Sequence, residues 1–433
     1  MVRRPRVSTL GLMLARVWTV RDGFMVRWNA LGAVTGDAVL YAFASIFALV
    51  LALRSTQPAQ WQWGYLTVGP YALAAVLAFF IGRRLTNRRH LFRVGLVGLV
   101  MLGAVFIPLG LEAHWRHAQP EVGVISRAGQ LLSKGQDPYR TYDKHGRVIN
   151  EIKGIPAFES FFPYFPLMGI FGLPSAARHE SKGLTDARIV MTLMTLLTSG
   201  WALALLRLSK DQKIRVAQVL IALPTGALFL STGGDDMPIL ALLLLGVAAL
   251  QRRQTNLAGV SFGLAAAMKL TAWPMAVGAL LVTRDREDRS TWKRLLTWIV
   301  AIVAATTVPF VFRAPAAFMS NVFAFPLGLA GVKSPAASAL PGHILTTWVP
   351  VLGHILAPVA FVIGGYFTTK YLRRHWPLTL SQLLGVMSVI FAVLMCVATA
   401  TRIGYLIYPL NFALWSSVTQ VQPAPVPELV HQA

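Results

Sequence analysis

Glu121 begins the polar stretch EVGVISRAGQLLSKGQDPY, residues 121–139, which follows the apolar run 91–111 after nine residues. The apolar residues of this stretch share one face of a helix, which predicts a helix on the membrane surface: Val124, Ala128, Leu131 and Leu132. A carboxylate at this point can act as a general base. It can equally be a first-turn acid that favours the positive end of the helix.

Asp235 and Asp236 follow two glycines in STGGDDMP and precede an apolar segment. One of them is expected to cap the next helix or to lie in its first turn. The pair can also orient an acceptor hydroxyl or hold a cation. No cofactor or metal site is predicted; a divalent ion is left open, although two adjacent acids are few for a site built from several oxygen ligands.

Three basic side chains are candidates for binding a phosphate. Lys269 lies in the middle of the apolar segment 257–282, where a cation is costly without an anionic partner. Arg402 lies at a helix end, so it can instead reach a lipid headgroup. His343 follows Pro341-Gly342 at a predicted helix start, where a polar residue needs no special role.

The composition is that of a polytopic membrane protein. Of 433 residues, 55% are hydrophobic and 13% are charged, with a mean hydropathy of +0.58. We predict an all-α bundle of roughly 10–13 transmembrane helices. The predicted spans are 32–53, 64–82, 91–111, 187–206, 214–232, 236–250, 295–312, 343–367, 382–400 and 403–420. The net charge of +23 comes from short basic clusters between these spans, which indicates topology signals and anionic lipid contacts and no nucleic-acid partner.

The basic clusters predict the topology, because positive loops remain cytoplasmic. They occur at the N-terminal arm and at 83–90, 207–215, 251–253, 284–294 and 370–375. Placing them on one side predicts that both termini are cytoplasmic and that 112–186 is extracytoplasmic. We expect the membrane to be the plasma membrane. Within that loop, 161–174 is expected to be re-entrant or interfacial. The separate segment 257–282 is expected to enter and leave on the cytoplasmic side as two short helices bent near Lys269. Glu121, Asp235, Asp236, His343 and Arg402 then share the outer face, and no polar groups are expected through the rest of the membrane depth.

The predicted organisation has four parts. Residues 1–31 form a cytoplasmic basic arm, and 32–90 contribute two N-terminal transmembrane helices. Residues 91–420 form the catalytic membrane domain, and 421–433 form a cytoplasmic tail. The lone Cys396 excludes a disulfide within the chain.

Together these groups suit transfer of a sugar from a lipid-linked phosphate. Cations would hold the phosphate as it leaves, and a carboxylate would take the proton of the acceptor hydroxyl. The stretch from Glu121 to the GQDPY turn resembles the first-loop motif of the GT-C superfamily, specifically of glycosyltransferase family 87 and the related polyprenol-phosphate-mannose-dependent mannosyltransferases. The resemblance extends through GGDDMPILALLLL, AGVSFGLAAAMKLTAWP, FPLGLAGVKSPAASALPGH and RIGYLIYPL. Many members carry Asp at the first-loop acid, where this chain has Glu.

The resemblance implies a GT-C-type fold, a polyprenyl-phosphate sugar donor, inversion at the anomeric carbon and an extracytoplasmic active site. Carried onto this sequence, it makes Glu121 the general base. Lys269, Arg402 and His343 become the donor-phosphate partners. Asp235, Asp236, Tyr139 and Tyr164 would bind the acceptor or sugar, although Phe162 and Tyr164 can also be interfacial anchors. The implied partners are the sugar donor, a glycolipid or glycan acceptor and the lipid bilayer.

Two other functions fit a polytopic chain with these charges. A transporter or flippase of a lipid-linked sugar would need polar residues along the membrane depth or an inverted repeat. A non-catalytic scaffold would keep the fold for partner contacts alone.

Overall fold

The computed structural model describes residues 32–85, 88–139, 154–177, 183–286, 289–332, 340–349, 351–398 and 402–419. Every regular element in these ranges is helical, so the predicted all-α membrane fold is confirmed. The basic arm 1–31 and the tail 421–433 lie outside the described residues.

The α-helices are numbered in chain order. They are α1 Ala33–Arg54, α2 Pro58–Phe80, α3 Arg89–Trp115, α4 Pro120–Ser133, α5 Pro166–Ala176, α6 Ala187–Leu205, α7 Lys210–Ala222, α8 Pro224–Thr232, α9 Asp236–Gln251, α10 Thr255–Ala266, α11 Trp273–Arg286, α12 Arg289–Arg313, α13 Pro315–Met319, α14 Pro341–Trp348, α15 Leu352–His375, α16 Leu380–Val397 and α17 Ile407–Val418.

Six described helices are long and apolar enough to cross a membrane, or seven if α7 and α8, bent by 42°, form one span. This is fewer than the predicted ten to thirteen, because several apolar segments are shorter or broken. The segment 343–367, predicted as one span, is divided into α14 and α15. Pro350 lies between them and lacks the N–H that a continuous helix needs.

Local sequence explains where several helices begin. Ser209 and Gln212 form a capping box at the start of α7, and Thr379 and Gln382 form another at α16. Asp186 caps α6 by accepting a hydrogen bond from the backbone N–H of Arg188. These caps satisfy backbone donors that the helices themselves leave unpaired.

The predicted break at Lys269 is confirmed. α10 ends at Ala266, Lys269 is extended, and a 3₁₀ turn at Leu270–Ala272 leads into α11. Lys269 therefore lies outside both helices, between the end of α10 and the start of α11.

Basic residues from three predicted cytoplasmic segments lie together at one end of the helices. Arg207, Arg253 and Arg294 line a cavity of about 1220 Å³ in which no carboxylate is found among the described lining residues. The clustering agrees with the assignment of these segments to a single side of the membrane.

A buried charged cluster ties α1 to α3 and α7. Arg93 Nε donates to Asp37 Oδ2 at 2.5 Å, and Arg93 also pairs with Asp211. Arg215 Nη2 and Gln218 Nε2 each lie 3.1 Å from Asp37 Oδ1. Asp37 and Arg93 are fully buried. They lie near the first turns of α1 and α3, at the ends opposite Arg54 and Trp115. The expectation that polar groups gather at one end is therefore wrong.

Candidate active site

The start of α4 packs against the end of α8, and this contact fixes the position of Glu121. The backbone N–H of Gln119 donates to the carbonyl of Thr232 at 2.9 Å, and its side-chain amide donates to the Thr232 hydroxyl at 2.8 Å. Pro120 then occupies the first position of α4, where its fixed φ favours a helix start. Glu121 consequently lies in the first turn, facing the α8–α9 turn.

The Gly233-Gly234 turn presents the two aspartates. Gly233 has φ +98°, a left-handed conformation that ends α8, and both glycine N–H groups donate to the carbonyl of Phe229. A Cβ on Gly233 would lie 2.1 Å from the Val122 side chain. The missing side chain thus lets the turn and α4 approach each other closely.

We expect Gly233→Ala to destabilise the fold by about 2–4 kcal/mol, because it combines left-handed strain with a clash. Thermal unfolding in detergent measures the effect, and Gly69→Ala is the control, since nothing lies within 4 Å of a Cβ there. Adding Val122→Ala should recover only the part due to the clash. Equal unfolding temperatures for the two glycine variants would contradict this account.

Lys269 forms ion pairs with both aspartates. Its Nζ lies 2.7 Å from Asp235 Oδ2 and 2.6 Å from Asp236 Oδ1, and all three side chains are largely buried. The segment before it is fixed by a hydrogen bond from the Phe165 N–H to the Met268 carbonyl, 3.1 Å long. The predicted need of this lysine for an anionic partner is met within the protein.

Aromatic side chains complete the surroundings of Lys269. Its Nζ lies 5.6 Å from the ring centres of both Tyr164 and Tyr405, within the range of cation–π attraction. The Tyr408 hydroxyl donates to Asp236 Oδ1 at 2.6 Å and lies 2.8 Å from the Thr271 hydroxyl. Burial, with the charge of Asp235 beside it, raises the pKa of Tyr164 well above its ordinary value, so its hydroxyl stays protonated.

Arg402 pairs with Glu121 although 281 residues separate them in the chain. The bond engages Glu121 Oε1, whereas Oε2 is buried and has no hydrogen-bond partner among the described residues. Burial raises the pKa of Glu121, and Arg402 opposes that effect. The carboxylate is therefore held by one oxygen, and no described residue forms a hydrogen bond with the other.

The structure brings together Glu121, Asp235, Asp236, Lys269, Arg402 and Tyr164. Tyr139 lies one layer behind them: its hydroxyl donates to the Tyr164 carbonyl at 2.9 Å and its ring packs against Phe162 and Phe318. His343 lies near the start of α14, where its carbonyl accepts bonds from Thr346 and Thr347. The adjacent Gly342 packs against the backbone of Val397 and Ala398, at the start of the segment that leads to Arg402.

Metal ligands are sparse in this site. The part of the chain that the structure describes contains no group of three or more His, Cys, Asp or Glu suited to a metal ion. The ammonium of Lys269 stands between the two aspartates and supplies a positive charge there.

Sequence reasoning missed three site residues, Gln119, Tyr405 and Tyr408. A signal for the tyrosines was present, since Arg402, Tyr405 and Tyr408 follow at steps of three residues and thus share a helix face. Nothing in the sequence identified Gln119, because its role depends on a contact with Thr232, 113 residues away.

The charged residues form the polar end of a cavity of about 740 Å³, called here the α1 groove. Its polar lining includes Glu121, Asp235, Asp236 and Arg402. Its remaining walls are mostly apolar side chains of α1, α8 and α17. A charged site that opens into an apolar channel suits a substrate with a polar head and a hydrocarbon chain.

A helical membrane fold with a buried carboxylate and paired cations at one end of an apolar groove suits a membrane enzyme that acts on a polar group. A model of glycosyltransferase family 87 matches residues 162–399, more than half of the chain, and the protein belongs to that family. It is a membrane glycosyltransferase. Comparison with curated proteins and with solved structures gave no match.

The family match covers only part of the site. Asp235, Asp236, Lys269 and His343 lie within the matched residues, whereas Glu121 and Arg402 lie outside them, as do α1, α2 and α3. The ion pair between Glu121 and Arg402 therefore joins the two flanks of the family region.

Proposed function

We propose that the protein transfers a hexose, mannose in the first instance, from a polyprenyl-phosphate donor to an extracytoplasmic glycolipid or glycan, with inversion at the anomeric carbon. The observation that carries this proposal is the buried Glu121 carboxylate, which Arg402 holds through one oxygen and whose other oxygen has no hydrogen-bond partner in the described part of the chain. It lies where the charged cluster meets an apolar groove. The GT-C-type bundle that this family resemblance implies is part of the proposal.

In the proposed reaction Glu121 is the general base. Its second carboxylate oxygen takes the proton of the acceptor hydroxyl. At the same time the acceptor's hydroxyl oxygen attacks the anomeric carbon from the side opposite the phosphate. The bond from the anomeric carbon to the phosphate oxygen breaks, and its electron pair leaves with polyprenyl phosphate. The phosphate needs no proton to depart, so one carboxylate suffices.

Arg402, Lys269 and His343 are the proposed phosphate partners, since charge-assisted hydrogen bonds would stabilise the charge that develops on the leaving group. Asp235 and Asp236 are proposed to orient the acceptor. Tyr164 lies beside Lys269 and is proposed to contact the sugar. The hydrogen bond from Tyr139 to the Tyr164 carbonyl favours a supporting role for Tyr139.

The proposed site faces the extracytoplasmic side of the plasma membrane. The basic segments support this orientation, because the cavity lined by Arg207, Arg253 and Arg294 lies at the helix ends away from the charged cluster.

The test uses the purified protein in vesicles with radiolabelled polyprenyl-phosphate mannose and an acceptor extract. We expect label to pass to the acceptor, with the new bond inverted when its configuration is determined by NMR. A nucleotide-linked mannose of equal specific activity should give no transfer.

Two outcomes would contradict the proposal. Transfer from the nucleotide sugar alone would overturn the lipid donor. Appearance of unchanged donor in the opposite leaflet, without a labelled product, would indicate the transporter alternative.

A further inference from the structure

Two walls of the α1 groove, those formed by α1 and α17, come from helices outside the family match. The α1 residues that line the groove are Leu40, Phe43, Ala44, Phe47, Val50, Leu51 and Arg54. Phe43 is 67% exposed and Val50 is 53% exposed, and Leu410 of α17, on the other side, is 45% exposed. Apolar side chains that face each other across a cavity leave room for a hydrocarbon chain.

The charged cluster has a net negative charge, which disfavours the binding of a phosphate. In their ionised forms Glu121, Asp235 and Asp236 outnumber Lys269 and Arg402 by one negative charge. A phosphodiester would add a further negative charge, and two like charges close together repel in a medium that screens them weakly. Another cation beside the groove would offset that repulsion.

Arg54 supplies such a cation. It is the last residue of α1, it lines the groove together with Gln57 and Gln60, and no ion pair of Arg54 is found within the described ranges. The groove thus has an apolar length and a cationic end, which is the complement of a lipid phosphate.

We propose that the α1 groove holds the hydrocarbon chain of the donor lipid and that Arg54 binds its phosphate. The identity of the donor rests on the proposed function. The placement of its chain and phosphate is a separate statement that can fail independently.

The first test compares two tryptophan variants of α1. Val50→Trp fills the groove, whereas Ile46→Trp adds the same ring on a 58% exposed side chain that is outside the lining. We expect Val50→Trp to raise the KM for a long-chain polyprenyl-phosphate sugar about tenfold and to change the KM for a short-chain analogue little. Ile46→Trp should leave both values near those of the wild type. Equal effects of the two variants would overturn the proposal.

The second test is Arg54→Gln, which keeps a polar side chain and removes the charge. We expect a rise of about tenfold in the KM for long- and short-chain donors alike, with kcat retained, because one charge-assisted contact to the phosphate is lost. An unchanged KM would remove Arg54 from the site.

A third test does not depend on sugar transfer. A photoreactive polyprenyl phosphate without sugar should label peptides of α1 and α17, unlabelled polyprenyl phosphate should compete, and Val50→Trp should reduce labelling more than Ile46→Trp. Competition by phosphatidylglycerol at equal concentration would show that bulk lipid occupies the groove and would overturn the proposal. Specific labelling without any sugar transfer would support the groove and count against the proposed function alone.

Discussion

Glu121→Gln is expected to lower the rate of sugar transfer by about 100- to 10,000-fold, the contribution usually made by a general base. The variant keeps an oxygen that can accept the Arg402 hydrogen bond, so the unfolding temperature and the donor KM should change little. Both are measured on protein purified at matched expression.

The matched control is Glu159→Gln, which changes an acid of the same loop that lies 3.8 Å from Arg127 and outside the charged cluster. It should transfer sugar within about twofold of the wild type. Glu121→Asp, which draws the carboxylate back by one methylene, should give an intermediate rate. Full activity of Glu121→Gln would reduce Glu121 to a helix-terminus acid and direct the search for the base to Asp235 or Asp236.

Lys269→Met is expected to destabilise the protein by about 3–5 kcal/mol, because it leaves two buried carboxylates without their cation. Sugar transfer should also fall below detection, since both the proposed phosphate partner and the position of the aspartates are lost. The free energy of unfolding in detergent, followed by tryptophan fluorescence, checks the first effect.

Two further variants separate the effect of the buried charges on stability from their effect on sugar transfer. Lys293→Met alters an exposed lysine and should change stability by less than about 0.5 kcal/mol. Combining Lys269→Met with Asp235→Asn and Asp236→Asn should restore much of the stability, because no buried charge remains unpaired, but none of the activity. If Lys269→Met is as stable as the wild type, the ion pairs contribute little to the fold.

The sequence predicted much of the helical framework because hydropathy and loop charge act locally. The break at Lys269 was predictable from a cation in an apolar run followed by Pro274, and the surface helix after Glu121 from its periodicity. The division between α14 and α15 was missed although Pro350 indicated it. Helix continuity is decided within a few residues, so signals of this kind can be found in a single sequence.

The partners in the site could not be predicted in the same way. Glu121, Asp235 and Asp236 are chemically equivalent choices for Lys269 or Arg402, and only the packing of α4 on the α8–α9 turn decides among them. The cluster around Asp37 was missed for the same reason, since Asp37 and Arg93 are 56 residues apart and each lies in an apolar context.

The spacing of Lys269 and its aspartates has a consequence for biogenesis. The acids precede the lysine by 34 and 33 residues, so they emerge from the ribosome first. A lone lysine at the centre of a membrane segment costs about 2.5–3.5 kcal/mol on insertion. Because its counter-ions have already been translated, α10 and α11 can enter the bilayer beside α9 with this charge compensated, and the order of synthesis itself favours correct insertion.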